Sequence, residues 1–259
     1  MLITFSGTGN SLAVSRRLGA RLGARLGGET VTLENRMLLK PEETVLEVAA
    51  GEPVIWVCPV YSWGIPPVVE RFIRKVRFKG AHQSPHFLVV TCGDDIGYAD
   101  NCWRQLIGRR GWNPRGSFSV TMPNTYVLMK GFDVDSPGTE ARKTEEMPAR
   151  VDAVASAIAQ GFSGDDVVRG NAAWTKTYVI RPLFNIFCTS PRPFHSSEAC
   201  VGCGKCSRGC PMENITMKEG RPQWHNHCAL CLRCYHICPE HAVEYGKATR
   251  SKGQKPVYN

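Results

Sequence analysis

The sequence predicts an α/β chain whose first part is a doubly wound parallel sheet of five strands and whose last part is a small α+β unit built around cysteines. Three observations carry this. Apolar strands alternate with helical patterns over residues 1–161, a glycine turn, FSGTGNS (Phe5–Ser11), joins the first strand to the first helix, and eight of the 12 cysteines fall between Cys200 and Cys238. Strands that alternate with helices pair in parallel, because only a crossover brings the chain back to start its next strand at the same end of the sheet.

The elements follow in order. Leu2–Phe5 is a short apolar strand, and residues 11–26 form a helix with Leu12, Leu18, Leu22 and Leu26 on one side and arginines around it. Residues 30–33 are the second strand. The run PVIWVCP, residues 53–59, is apolar throughout, as a strand covered on both faces must be. A helix over 66–75 opens on prolines, which the first turn tolerates. Residues 86–91 form a strand, 99–110 a helix and 117–122 the fifth strand. Val151, Val154, Ala155 and Ile158 then share one face of a last helix.

The uneven cysteine distribution divides the chain. We place an α/β domain at 1–161, a packed linker at 162–195 and the cysteine unit with a basic tail at 196–259. The linker is rich in Gly, Asn and Pro, and its aromatics Trp174, Tyr178, Phe184, Phe187 and Phe194 fit neither a helical nor a strand period.

The net charge of +9 is spread along the chain, with 19 Lys/Arg against 16 Asp/Glu in the first segment, 4 against 2 in the second and 9 against 5 in the third. No basic arm results. Only KATRSKGQK near the C-terminus approaches one, and it reads as a solvated tail, so nucleic-acid binding is not expected. The first strand begins at once, without the charged and apolar stretches of a signal peptide. The apolar run TYVIRPLFNIF is interrupted by Arg181 and Pro182 and is too short to span a bilayer. We therefore expect a cytoplasmic chain, in which clustered cysteines serve as metal ligands or redox groups.

The cysteines form an internal repeat, C-x2-C-x2-C-x3-C-P at Cys200–Pro211 and again at Cys228–Pro239. Zinc prefers separated pairs of ligands, often with histidines. Three closely spaced thiolates followed by a distant fourth suit a cubane instead, whose four irons each need one sulfur. Gly202, Gly204, Gly209 and Ala229 allow the backbone close to such a core. His225, His227, His236 and His241 lie near the repeat and are expected mostly at the surface. Residues 196–245 resemble a bacterial two-cluster ferredoxin. The resemblance implies two 4Fe-4S clusters in which the fourth cysteine of each run ligates the other cluster. Cys200, Cys203, Cys206 and Cys238 would hold one, and Cys228, Cys231, Cys234 and Cys210 the second.

The glycine turn between strand and helix offers backbone N–H groups and the positive end of a helix dipole to a phosphate. No Lys-Ser/Thr follows, which excludes a Walker loop, and Leu12 stands where a dinucleotide fingerprint needs glycine. A monophosphate fits best, with an ordinary tight turn as the alternative. PVYSWGIPP (residues 59–67) and TCGDDIGY (residues 91–98) follow later strands and bring aromatics to the sheet edge where such folds bind ligands. Tyr61 and Trp63 there either flank a flat heterocycle or pack as core residues.

Together these three segments resemble flavodoxin, which implies strand order 2-1-3-4-5 and bound flavin mononucleotide (FMN). By that resemblance Ser6, Gly7, Thr8, Gly9, Asn10 and Ser11 hold the phosphate. Pro59, Tyr61, Ser62, Trp63 and Gly64 flank the ring on one side, and Thr91, Cys92, Gly93, Asp94 and Tyr98 on the other. The two halves in this order, with MPNTY after the fifth strand and GRPQW before the second cysteine run, resemble the flavodoxin-ferredoxin fusion proteins of anaerobic bacteria and archaea, the EFR1 family. That implies relay of low-potential electrons between clusters and FMN, with other redox proteins (ferredoxin, flavodoxin or reductases) as partners. The alternatives are an FMN-dependent reductase of a quinone or nitro compound, with Asp94, Asp95 and Cys92 as its candidate acid/base groups, and a redox sensor.

Overall fold

The computed structural model describes residues 1–26, 29–80 and 84–257; the side chains of Ala24, Arg25 and Leu26 lie outside the described residues. Strand β1 (Leu2–Thr4) leads through the glycine turn into α1 (Asn10–Leu26), and β2 (Thr30–Thr32), α2 (Asn35–Leu39) and β3 (Val45–Glu47) follow. The chain continues through β4 (Val54–Pro59), α3 (Pro67–Lys75), β5 (Arg77–Lys79), β6 (Pro85–Cys92), α4 (Ala99–Arg109), β7 (Asn113–Thr121), α5 (Pro137–Ala159) and β8 (Gly164–Asp166). The main sheet runs β2-β1-β4-β6-β7-β8 with every pair parallel.

Its first five members take the expected order, but the expected count of five strands is corrected to six. The sixth, β8, lies inside the stretch read as linker. Its sequence, Gly-Asp-Asp, has low strand propensity, and arginines from elsewhere hold it. Arg104 donates to the Gly164 carbonyl at 2.8 Å and pairs with Asp165, while Arg150 reaches Asp166 Oδ2 at 2.6 Å. Helix α5 is also longer than the expected face at 151–158. Its first half is polar and Pro148 lies inside it, so hydrophobic spacing marks only the second half. Strands β3 and β5 form a separate two-stranded parallel sheet that the sequence reading left unassigned.

Alternation along the central strands sends side chains to two cores. Ile55, Val57, Val89 and Phe118 pack under α1 and α5, while Trp56, Cys58, Leu88 and Val90 face α3 and α4.

After β8 the chain forms a helical rod over residues 173–187, composed of α6 (Ala173–Thr175), a π-turn (Lys176–Ile180) and α7 (Arg181–Phe187). Then come β9 (Phe194–Ser196), α8 (Lys205–Arg208), β10 (Ile215–Lys218), β11 (Arg221–Trp224), α9 (Arg233–His236) and β12 (Val243–Tyr245). Hairpin β10/β11 and the antiparallel pair β9/β12 flank the two short helices. The sequence repeat is visible in the backbone. Left-handed φ values recur 28 residues apart, at Gly202 (69°) and Leu230 (52°), Gly204 (71°) and Leu232 (62°), and Glu213 (47°) and His241 (53°).

The tail read as solvated is instead clasped to the α/β domain. Gly253 N–H donates to Asp133 at 2.9 Å, Lys252 Nζ to the Phe132 carbonyl at 2.7 Å, and Lys255 pairs with Glu140. Among the described residues no helix is long and apolar enough to cross a membrane.

Candidate functional site

The cysteines gather in two cavities, and each mixes the two runs. Cys200, Cys203, Cys206 and Cys238 line one of about 350 Å³. Cys210, Cys228, Cys231 and Cys234 line the other, of about 310 Å³. These are the two sets that the ferredoxin resemblance implies. Both fourth cysteines sit in the same local frame, with Cys210 Sγ accepting from Asn214 N–H and Cys238 Sγ from Ala242 N–H, each at 3.3 Å. Cys228 Sγ accepts from Leu230 N–H at 3.3 Å. Backbone N–H groups aimed at thiolate sulfur hold charge there without adding a cation. Among the described residues no three Cys, His, Asp or Glu side chains converge closely enough to hold one metal ion. Four thiols spread around a cavity are what a cubane requires, since each of its irons takes a different cysteine, and the residues present fit 4Fe-4S clusters.

Three of the nearby histidines, His225, His227 and His241, are exposed as expected, but His236 is buried. Its Nε2 donates to the Thr125 carbonyl at 2.8 Å, its Nδ1 accepts from Lys255 N–H at 3.1 Å, and burial lowers its pKa to about 4.

The glycine turn caps its own helix. Ser6 Oγ accepts from Gly9 N–H at 3.1 Å and Leu12 N–H at 3.3 Å. The first-turn amides of Asn10 and Ser11, which no carbonyl within the helix can serve, are left for an anion. Gly9 has φ of 101°, a left-handed value that favours glycine. Ser11 Oγ shares a hydrogen bond of 2.8 Å with Thr91 Oγ1 and is buried, so its hydroxyl holds the loop to β6 and is not free for a ligand. Thr8 reaches Thr125 at 3.4 Å, and Asn10 Nδ2 donates to the Pro123 carbonyl at 2.8 Å.

The loop after β7 thus joins the site, a contribution the sequence reading quoted as MPNTY without assigning. The findable signal was its place at the C-terminal end of a parallel strand, beside the other loops. Asn124 Oδ1 also lies 3.2 Å from where a Cβ on Gly93 would stand.

Tyr61–Gly64 is a tight turn closed by Tyr61 N–H to the Gly64 carbonyl at 2.8 Å, with Ser62 and Trp63 at φ 46° and 57°. Left-handed backbone at two non-glycine residues stores strain that surrounding contacts must hold. Ser62 Oγ is buried without a hydrogen-bond partner, which suits a polar atom of a bound ring. Across from it, Asp95 Oδ1 accepts from Gly97 N–H at 3.2 Å, and Lys143 Nζ stands 3.7 Å from Asp94. Burial pushes the Cys92 thiol up to about 12. The Tyr61–Gly64 turn and the loop after β6 are linked by Thr177 of the helical rod, whose Oγ1 donates to the Trp63 carbonyl at 3.3 Å and accepts from Tyr98 N–H at 2.8 Å. Tyr98 is covered by Arg169, 4.9 Å above its ring, and by Tyr178 at 6.0 Å.

The two halves of the site meet at Gly7. A Cβ on it would lie 2.6 Å from Cys231 Cβ, 2.8 Å from the Cys231 carbonyl and 3.2 Å from the Tyr61 hydroxyl. Arg233 donates to the Gly7 carbonyl at 3.1 Å. Met212 and Ala229, which line the second cavity, pack in the core of the α/β domain. Desolvation and the neighbouring Cys231 and Cys228 hold the Tyr61 hydroxyl well above its ordinary pKa.

Strand order, loop placement and cysteine geometry define a flavodoxin-like α/β fold joined to an iron–sulfur unit, and so a protein of redox electron transfer. Residues 199–243 match the 4Fe-4S dicluster domain family. No curated relative matches the chain. Among solved structures the chain is similar to the Trp repressor binding protein from Bacillus subtilis (13% identity, TM-score 0.36, covering 59% of this chain and 96% of that one). It is also similar to an azoreductase from Bacillus anthracis str. Sterne (12%, 0.39, 62% and 98%) and an oxidoreductase from Corynebacterium diphtheriae (16%, 0.35, 61% and 94%). The fold assignment rests on the strand order and not on these distant likenesses.

Proposed function

We propose that the chain is an electron relay of the flavodoxin-ferredoxin fusion type known as EFR1. It would carry two 4Fe-4S clusters and one FMN and exchange low-potential electrons in the cytoplasm of an anaerobe with other redox proteins. The domain limits 1–161 and 196–259 belong to this reading, with β8 and the rod over 162–195 packed on the first. Cys200, Cys203, Cys206 and Cys238 would hold the outer cluster, and Cys210, Cys228, Cys231 and Cys234 the inner one. The turn from Ser6 to Ser11 would hold the flavin phosphate, with Tyr61–Gly64 and Thr91–Tyr98 beside the ring. A cluster exchanges single electrons, whereas a flavin takes one or two, so the pair converts between the two regimes.

The observation that carries the reading is the contact of Gly7 with Cys231. It sets the inner cavity against the phosphate turn and Tyr61 without intervening side chains. The outer cavity opens to solvent at Cys203 and at Val201, which is 65% exposed, and suits exchange with a partner protein. Side chains supply positioning: Ser11 and Thr91 lock the turn to β6, Arg233 ties the iron–sulfur unit to the turn and His236 ties it to the loop after β7, and Thr177 fixes the ring loops. The reductase reading draws less support, since Asp95 is bound to Lys176 at 2.6 Å and Cys92 is buried as the neutral thiol. A redox sensor that binds partners through the tail KATRSKGQK draws less support as well, since Lys252, Gly253 and Lys255 of that stretch are clasped to Phe132, Asp133 and Glu140.

Anaerobic reductive titration of the full chain, followed by absorbance and EPR with iron and flavin assayed on the same sample, tests the proposal. The expected content is about eight irons and one FMN per chain, with clusters reduced in exchange with the flavin. Iron without flavin would remove the relay.

A further inference from the structure

The helical rod over residues 173–187 is inverted: its polar side faces the protein and its apolar side faces solvent. Lys176 Nζ pairs with Asp95 at 2.6 Å and lies 5.3 Å over the Trp63 ring. Thr177 bonds to Trp63 and Tyr98, and Arg181 pairs with Glu70 and donates to the Ile65 carbonyl at 3.3 Å. Tyr178 leans back on Tyr98, but Trp174 is 62% exposed, Val179 41%, Ile180 42%, Leu183 52%, Ile186 70% and Phe187 74%. Surface helices normally turn the apolar stripe inward.

We propose that this outward face binds the same face of a second copy of the chain. Area and charge both point to that occupant. At 150–250 Å² per aromatic side chain, Trp174 and Phe187 alone expose roughly 270 Å². With the four aliphatic side chains the patch reaches the size that marks interaction sites and approaches the ~800 Å² that each partner buries in a stable interface. Residues 171–190 expose no charged side chain, because the two cations there, Lys176 and Arg181, are turned inward and ion-paired. In a two-fold dimer each residue near the axis meets its own counterpart, so a charge there would face a like charge. On a chain of net charge +9 an uncharged face is where a second copy can approach closely. A membrane surface is a poorer fit, since interfacial helices hold anionic headgroups with free cations on their flanks.

The pairing would cover the side of the α/β domain where the rod lies on Tyr61–Gly64 and Tyr98. External exchange would then be left to the outer cysteine cavity.

Sedimentation velocity of the full chain with its cofactors tests this. We expect wild type near twice 28.7 kDa. Leu183→Glu/Ile186→Glu and, separately, Phe187→Asp should halve that mass while iron content and far-UV circular dichroism stay as in wild type. Val45→Glu, on the exposed strand β3 away from the rod and both cysteine cavities, should remain dimeric. A wild type that stays monomeric across the concentration range, or dimers persisting in every correctly folded variant, would overturn the proposal. So would a monomer that floats with phosphatidylserine vesicles, which would assign the face to lipid. The mass is read whether or not flavin is bound, so failure here is separate from failure of the relay.

Discussion

Gly7 stands where the glycine turn of the α/β domain meets the iron–sulfur unit, and space, not backbone freedom, is what demands glycine there. Its φ is not left-handed, but an added methyl would meet Cys231 at 2.6 Å and 2.8 Å, neither contact being a flexible side-chain end. Gly7→Ala should lower stability by about 1–3 kcal/mol, the usual cost of overpacking. Melting followed at the iron–sulfur absorbance would show it. Gly23→Ala, where nothing lies within 4 Å, should leave the melt unchanged or raise it by the helix propensity of alanine. A second residue of consequence is His86, stacked on Trp112 at 5.1 Å with Nδ1 accepting from Trp56 Nε1 at 3.1 Å. Burial lowers its pKa to about 3 from 6.5, so the fold holds it neutral while the unfolded chain binds a proton below pH 6.5. Its contribution is therefore whole above pH 6.5 and is lost toward pH 3, by about 1.4 kcal/mol per unit. Denaturant titrations at pH 7 and pH 5 should give a smaller loss in His86→Phe than in wild type. That variant should also be weaker at pH 7 by about 1–3 kcal/mol, since Trp56 loses its acceptor.

At the scale of elements, what could be read in the sequence is what local chemistry decides. The five expected strands, the glycine turn with its helix and the doubled cysteine run are each specified by residues within a few positions of one another. β8 is not. Its glycine and two aspartates form a strand only because Arg104, Arg150 and Arg169 converge on them from α4, α5 and the chain beyond. No local signal marks a strand held by distant arginines. The rod escaped recognition for a related reason: its inward side is polar, so the apolar period points outward and Pro182 sits inside it. Arg104→Ala should therefore act on an element it does not belong to. It should speed hydrogen exchange at the amides of residues 164–166 while leaving β4 and β6 protected, because those central strands pair on both sides. Equal loss of protection in β6 would show that Arg104 supports the whole sheet and not its edge.

At the scale of the molecule, the two halves are joined more firmly than a tether requires. Met212 and Ala229 enter the apolar core of the α/β domain, His236 and Arg233 bond to its loops, and the tail from Lys252 to Lys255 grips Asp133 and Glu140. None of these contacts was legible, because each joins residues more than 100 positions apart whose separate sequences mark only a turn, a repeat or a basic end. Rigid docking makes the two cysteine cavities inequivalent, one against the glycine turn at Gly7 and one open to solvent. Replacing a ligand in each should then have different consequences. Cys231→Ala should leave the outer site able to accept electrons from a reduced ferredoxin but stop them from reaching the flavin. Cys203→Ala should block entry from the protein donor, while a small reductant that diffuses to the inner site still reduces the flavin. Stopped-flow absorbance at the flavin and cluster bands, with iron content measured for each variant, separates the cases. Identical behaviour of the two variants toward both donors would mean that the cavities are not in series, whatever their distances from Gly7.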